Sequence, residues 1–157
     1  MIFHLPTHIT ILIDIVVWFV IHMSVPYLMT RRPLASFNTN HWLYRQRSWE
    51  KNGRIYEKFF RIKSWKKKLP DGAAVFKNGF QKKRLKETSH KYLRDFITES
   101  CRAELTHWIV FLFGFTFLIW NIWWVGIVMI IYATVVNIPC IITQRYNRIR
   151  LGRMTSQ

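Results

Sequence analysis

Residues 101–151 read CRAELTHWIVFLFGFTFLIWNIWWVGIVMIIYATVVNIPCIITQRYNRIRL, and this stretch decides the fold. From Trp108 to Ile142 it contains no Asp, Glu, Lys or Arg. A run of that length is too long for a core helix of a soluble domain and about the length of a short membrane hairpin. Trp120, Trp123 and Trp124 surround Asn121, the aromatic pattern expected around an outer turn. The arms are predicted over 102–120 and 122–142. Arg102, Glu104 and His107 lie at the start of one arm, and Gln144, Arg145, Asn147, Arg148 and Arg150 at the end of the other. A hairpin brings these two polar groups to one membrane face.

Upstream, the apolar stretch Ile9 to Met29 has the length of a third span. No basic residue precedes it and no small-x-small site follows it, so it reads as a retained helix rather than a cleaved signal peptide. Arg31 and Arg32 follow at once, and the positive-inside tendency then sets the N-terminus outside and the C-terminus in the cytoplasm. Asp14 and His22 lie within this span. They are costly there unless packed against protein or water, or, for Asp14, unless it reaches the outer interface.

The charge is strongly segregated. Of the 24 Lys and Arg, 20 fall between Arg31 and Arg102 and four between Arg145 and Arg153, within a net charge of +16. Basic segments that abut spans point to an anionic leaflet or a phosphate-bearing substrate rather than to nucleic acid. Residues 41–72 resemble short helices lying in the headgroup region, with Ile55, Phe59, Ile62 and Lys66 at helical spacing and a turn at Asp71 and Gly72. From Ser89, the spacing of Tyr92, Phe96, Glu99 and Ala103 predicts an amphipathic helix that runs on into the membrane. The expectation is a single all-α membrane domain over residues 1–157. It has three transmembrane helices (9–29, 102–120 and 122–142) with basic amphipathic interfacial helices in the cytoplasmic segment 31–101. Cys101 and Cys140 lack metal spacing and are expected as free thiols.

Glu104 and His107 are three residues apart on one helical face, where a carboxylate can orient an imidazole for general-base work. The same E-x-x-H pair occurs in di-iron bundles, but too few carboxylates accompany it here, and no metal is expected. The plainer account of His107 is an interface histidine. Asn137, Gln144 and Arg148 form a polar stripe on the returning arm, which a simple stop-transfer flank does not require. At a rise of about 1.5 Å per residue, His107 lies about 21 Å and Asn137 about 24 Å below the turn. Glu104 and His107 are therefore expected to face the Asn137, Gln144 and Arg148 stripe across the hairpin, with the first span closing a side. Lys66, Lys67 and Lys68 read either as a leaflet-binding cluster or as a site for donor phosphates.

WEKNGRIYEKFFRIKSWKKKLPDG, RAELTHW and YATVVNIPCIITQRYNRIRL, in this order and spacing, resemble the glycosyl-4,4'-diaponeurosporenoate acyltransferase family of bacterial carotenoid synthesis. The resemblance implies esterification of a sugar hydroxyl of a glycosylated C30 carotenoid acid with a fatty acyl group, the last step toward staphyloxanthin-like pigments, in a bacterial cell membrane. Roles within it follow from chemistry: His107 as base oriented by Glu104, and a binding set of Arg102, Asn137, Gln144, Arg145, Asn147 and Arg148. Acyl-CoA or another acyl thioester is the expected co-substrate, its phosphates held by Lys66, Lys67 and Lys68, with no bound cofactor. The partners expected are membrane lipid, the carotenoid and other enzymes of the pathway. The alternative is a non-catalytic membrane scaffold or lipid-binding subunit of a pigment-enzyme complex.

Overall fold

A computed structural model of the chain describes residues 6–70, 80, 82 and 85–155. The described secondary structure is helical, with three helices long and apolar enough to cross a membrane. The first, α1 (Thr7–Arg31), has 25 residues and so a length of about 37 Å, sufficient for a hydrocarbon core of roughly 30 Å. Its buried residues are Asp14, Trp18, Ile21 and Val25. Their spacing of four, three and four makes one narrow stripe against protein, and the large apolar side chains around it, such as Leu12, Ile15 and Phe19, face outward.

The segment after α1 is built from short pieces. A 3₁₀ turn at Ser48–Gly53 leads into α2 (Arg54–Lys58), and α3 (Ile62–Trp65) runs into a second 3₁₀ turn at Lys66–Lys68. The helical run expected from Ile55 through Lys66 is therefore broken, because Arg61 takes left-handed backbone with φ 47°. That break lets Tyr56 and Ile62 both pack against Tyr146 and Ile149, which one straight helix would not allow. Trp42, Trp49 and Phe59 stay exposed. The expected turn at Asp71 and Gly72 lies outside the described residues.

The hairpin consists of α4 (His90–Phe113), a 3₁₀ continuation over Gly114–Leu118, and α5 (Trp123–Thr155). Ser89 caps α4: its hydroxyl accepts from the Tyr92 N–H at 3.3 Å. α5 has 33 residues, about 50 Å, so its last turns extend well past any bilayer core. They continue as helix because Tyr146, Ile149 and Leu151 are buried against the segment of short helices that follows α1 and the start of α4. Small residues bring the arms close. A Cβ on Gly114 would lie 2.6 Å from that of Ala133, and one on Gly126 would lie 2.3 Å from the Leu118 side chain.

α1 is fastened to the hairpin at its turn. Trp120 Nε1 and Asn121 Nδ2 both donate to Asp14 Oδ1, at 2.8 and 2.9 Å. Asp14 is thus a packed interior residue and not one hydrated at the outer interface. One turn further in, Trp18 stacks on Phe117 with centroids 4.6 Å apart and donates to Met129 Sδ at 3.3 Å. Both cysteines are free thiols.

Candidate active site

Below the apolar hairpin, two carboxylates and two guanidinium groups meet in the interior. Glu104 on α4 and Glu50 in the 3₁₀ turn at Ser48–Gly53 are both 0% exposed. Arg145 on α5 joins them: Nη1 donates to Glu104 Oε1 at 2.9 Å and Nε donates to Glu50 Oε1 at 3.0 Å. Its remaining donors reach the carbonyls of Leu43 and Arg45. Arg148 donates from Nε to the Tyr44 carbonyl, and its Nη1 stands 2.6 Å from Glu104 Oε2 in a close ion contact without hydrogen-bond alignment. The quartet is formally neutral, and buried ions persist only when matched in this way.

The hydrogen bonds set the charge states. Burial alone would raise the Glu50 carboxyl, but donation from Arg145, from the Arg47 amide and from the Tyr56 hydroxyl outweighs it and holds Glu50 below its ordinary value. The same burial, together with the Glu50 charge, pushes the Tyr56 hydroxyl up. Burial also raises Tyr44, to about 12, aided by Cys101 and Glu104.

This arrangement corrects the expected pairing of Glu104 with His107. No hydrogen bond or ion pair joins them, because the Glu104 carboxylate is committed to two arginines. His107 instead meets Asn137: Nδ1 lies 3.0 Å from Asn137 Oδ1. Asn137 Nδ2 donates to the Ala133 carbonyl at 2.9 Å, so its amide oxygen is the group turned to the ring. An amide oxygen only accepts, which places the proton on Nδ1 and leaves the Nε2 lone pair available as a base. The residue that orients the imidazole comes from the opposite arm.

His107 and Asn137 line a cavity of about 830 Å³ between α1, α4, α5 and, among the described residues of the intervening segment, Lys66, Lys67, Leu69, Pro70, Phe80, Lys82 and Leu85. Its apolar end is walled by His22, Met23, Val110 and Val136, and its basic end by Lys66, Lys67, Arg102, Gln144, Asn147 and Arg150. Lys66 Nζ donates to Asn147 Oδ1 at 3.2 Å and sits 4.8 Å from the Tyr146 ring centroid. Burial, reinforced by Arg150, Lys63 and Lys67, lowers the Lys66 pKa. Arg102 donates to Glu99 at 2.8 Å and to the Arg32 carbonyl.

The sequence-predicted set therefore divides. Asn137, Gln144, Asn147 and Arg102 join His107, Lys66 and Lys67 at the cavity wall, whereas Glu104, Arg145 and Arg148 lie off it in the ion quartet and Lys68 lies outside both. Glu50 and Arg150 were not singled out as site residues. Glu50 carried a signal, as one of the few acids within a basic segment and three residues after Arg47. His22, noted only as an intramembrane polar residue, contacts Tyr132 and lines the cavity.

A histidine in the wall of a cavity that is apolar at one end and cationic at the other, among three helices long and apolar enough to cross a membrane, defines a class: small membrane proteins whose cavity suits a lipid-like molecule with a polar head. The comparisons with known proteins are specific. A family profile described as glycosyl-4,4'-diaponeurosporenoate acyltransferase matches residues 40–157. Proteins of that name from Staphylococcus aureus strains RF122 / ET3-1 and MRSA252 are each 33% identical over 139 residues, 87% of this chain and 82% of the relative. The one from strain USA300 is 32% identical over the same length. No solved structure matches the chain. The chain belongs to the glycosyl-4,4'-diaponeurosporenoate acyltransferase family, a family of acyltransferases.

Glu104 is expected to be a stability residue. Glu104→Ala leaves Arg145 and Arg148 without their shared counter-ion, and breaking a buried pair in this way costs about 3–5 kcal/mol. Thermal unfolding of the purified protein in detergent should show a large drop for Glu104→Ala and little change for His107→Gln; the reverse order would be inconsistent with the quartet as the structural centre.

Proposed function

We propose that this chain transfers a fatty acyl group to a sugar hydroxyl of a glycosylated C30 carotenoid acid. The observation that carries the reading is the His107–Asn137 pair in the wall of a cavity with one apolar and one cationic end. A glycosylated carotenoid is an apolar rod with a polar tip, and an activated fatty acid is an apolar tail with a reactive head. Their reactive ends meet where membrane gives way to cytoplasm, the depth at which this pair lies.

In the proposed reaction, the sugar hydroxyl attacks the acyl carbonyl directly. His107 Nε2 takes the hydroxyl proton as the new C–O bond forms, and the imidazolium is stabilised through the Nδ1–H donated to Asn137. The Arg102 guanidinium, in the cavity wall, is an available donor to the oxyanion. The proton then passes from Nε2 to the leaving group. The glycoside and membrane lipid are the partners of this reading, and the orientation proposed with it has the N-terminus outside and the C-terminus in the cytoplasm.

Two experiments test it. General-base assistance is worth about 10²- to 10⁴-fold, so His107→Ala should reduce ester formation by that factor while inserting normally, with unacylated glycoside accumulating in mass spectra of membrane pigment. Full esterification by the variant would remove His107 from the mechanism and favour the scaffold alternative. For the orientation, single cysteines at positions 67 and 155, in a chain whose two native cysteines are replaced, should be labelled by impermeant reagent only after the cells are opened. Labelling in intact cells would invert the topology.

A further inference from the structure

The cavity is elongated, and its polar groups are spaced along α5. On the helix rise of about 1.5 Å per residue, Gln144 lies about 10 Å along the axis from Asn137, Asn147 about 15 Å and Arg150 about 20 Å. Lys66 is tied to Asn147, so the cations Lys66 and Arg150 stand about 15–20 Å from the His107–Asn137 pair by the same rise. Neither of these two, nor the neighbouring Lys67, is in an ion pair among the described residues. The acid in the cavity wall, Glu99, is already engaged by Arg102 at 2.8 Å and Lys82 at 3.6 Å. Midway, Gln144 Oε1 is buried with no hydrogen-bond partner.

These spacings discriminate between acyl donors. Extended chains advance about 1.2 Å per bond, the value implied by the reach of a polypeptide. In a phosphopantetheine thioester, the second amide nitrogen is eight bonds from the acyl carbonyl carbon and the phosphorus fourteen, or roughly 10 and 17 Å on that scale. In a glycerophospholipid ester the phosphorus is five bonds away, or roughly 6 Å. With an acyl carbonyl at His107, a phospholipid phosphate would lie in the stretch before Gln144, short of Lys66 and Arg150 and near Arg102, five residues or about 7.5 Å from His107, whose charge Glu99 already engages. A phosphopantetheine arm instead sets its amide N–H beside the orphaned Gln144 oxygen and its phosphate between Lys66 and Arg150.

We infer that the acyl donor is a phosphopantetheine thioester whose arm runs along α5, with Gln144 receiving its amide and Lys66, Lys67 and Arg150 its phosphate. This rests on the acyltransfer reading above and names its second substrate. The sugar oxygen forms the new C–O bond, the C–S bond breaks, and the hydroxyl proton passes through His107 Nε2 to the departing thiolate, giving ester and free thiol with no other reactant. Coenzyme A and acyl carrier protein present the same arm, and the cavity mouth is basic enough for the phosphates of either.

The test uses the full-length protein in detergent or vesicles with the glycosylated carotenoid and four donors: a fatty acyl-CoA, the same acyl group on acyl carrier protein, the S-acyl-pantetheine without phosphate, and a phospholipid labelled in that acyl chain. Ester should form from acyl-CoA, from acyl carrier protein, or from both, and the preference between those two identifies the source. Loss of the phosphate should reduce kcat/KM by about 10- to 100-fold, the worth of charge-assisted hydrogen bonds. That advantage of the phosphate should shrink in Lys66→Ala and Arg150→Ala, while Gln144→Leu should weaken both thioesters alike through KM. Transfer from phospholipid with both phosphorylated thioesters inert overturns the inference and leaves the acyltransfer reading standing. A phosphate advantage untouched by either cation substitution also overturns it. No ester from any donor overturns the acyltransfer reading and the inference with it.

Discussion

The buried ion quartet of Glu50, Glu104, Arg145 and Arg148 is the constraint on which the rest of the structure depends. An apolar hairpin in lipid gains little from hydrophobic association, because lipid is as apolar as the partner helix. Its arms can slide unless something polar fixes them. Here Glu104 on one arm meets Arg145 and Arg148 on the other, and the same Arg145 holds Glu50 and two carbonyls of the segment that follows α1. Shifting α5 by one turn would separate two buried carboxylates from their cations, at several kcal/mol each. The register fixed there continues up the hairpin through His107 against Asn137, Gly114 against Ala133 and Leu118 against Gly126. The quartet therefore sets the base in its place without touching it.

The asymmetry between the two sides of the α4–α5 seam then gains a physical meaning. On one side charges are matched, desolvated and closed over by residues 43–56. On the other lie His107, the cations Lys66, Lys67 and Arg150 outside any ion pair among the described residues, and an amide oxygen without a donor. The first side supplies rigidity and the second is underused by the protein itself, as a substrate site must be. The turn of the hairpin is secured independently, where Asp14 accepts from Trp120 and Asn121, so α1 is held as the third wall of the cavity.

Much of this was legible in the residues. The charge-free run from Trp108 to Ile142, the tryptophans around Asn121 and the segregated lysines and arginines fix three helices and their order. The depth of His107 and Asn137 follows from counting residues to the turn, because helix rise is nearly constant. What was not legible is competition among partners. Spacing of three suggests that Glu104 serves His107, yet a carboxylate in a buried setting goes to the strongest donors within reach, and these are guanidinium groups forty-odd positions away. The left-handed backbone at Arg61, which breaks a regular apolar spacing, is imposed by the tertiary packing of Tyr56 and Ile62 on α5 rather than announced by a glycine.

The central claim is that His107 is held as the Nδ1–H tautomer by Asn137, with Nε2 facing the cavity as a base. Nitrogen-15 NMR of the histidine-labelled protein in detergent at neutral pH, with His107 assigned by its absence in His107→Gln, reads this directly. The account predicts a protonated Nδ1 and an unprotonated Nε2 for His107, with that preference lost in Asn137→Ala. An Nε2–H tautomer in the unaltered protein would contradict it.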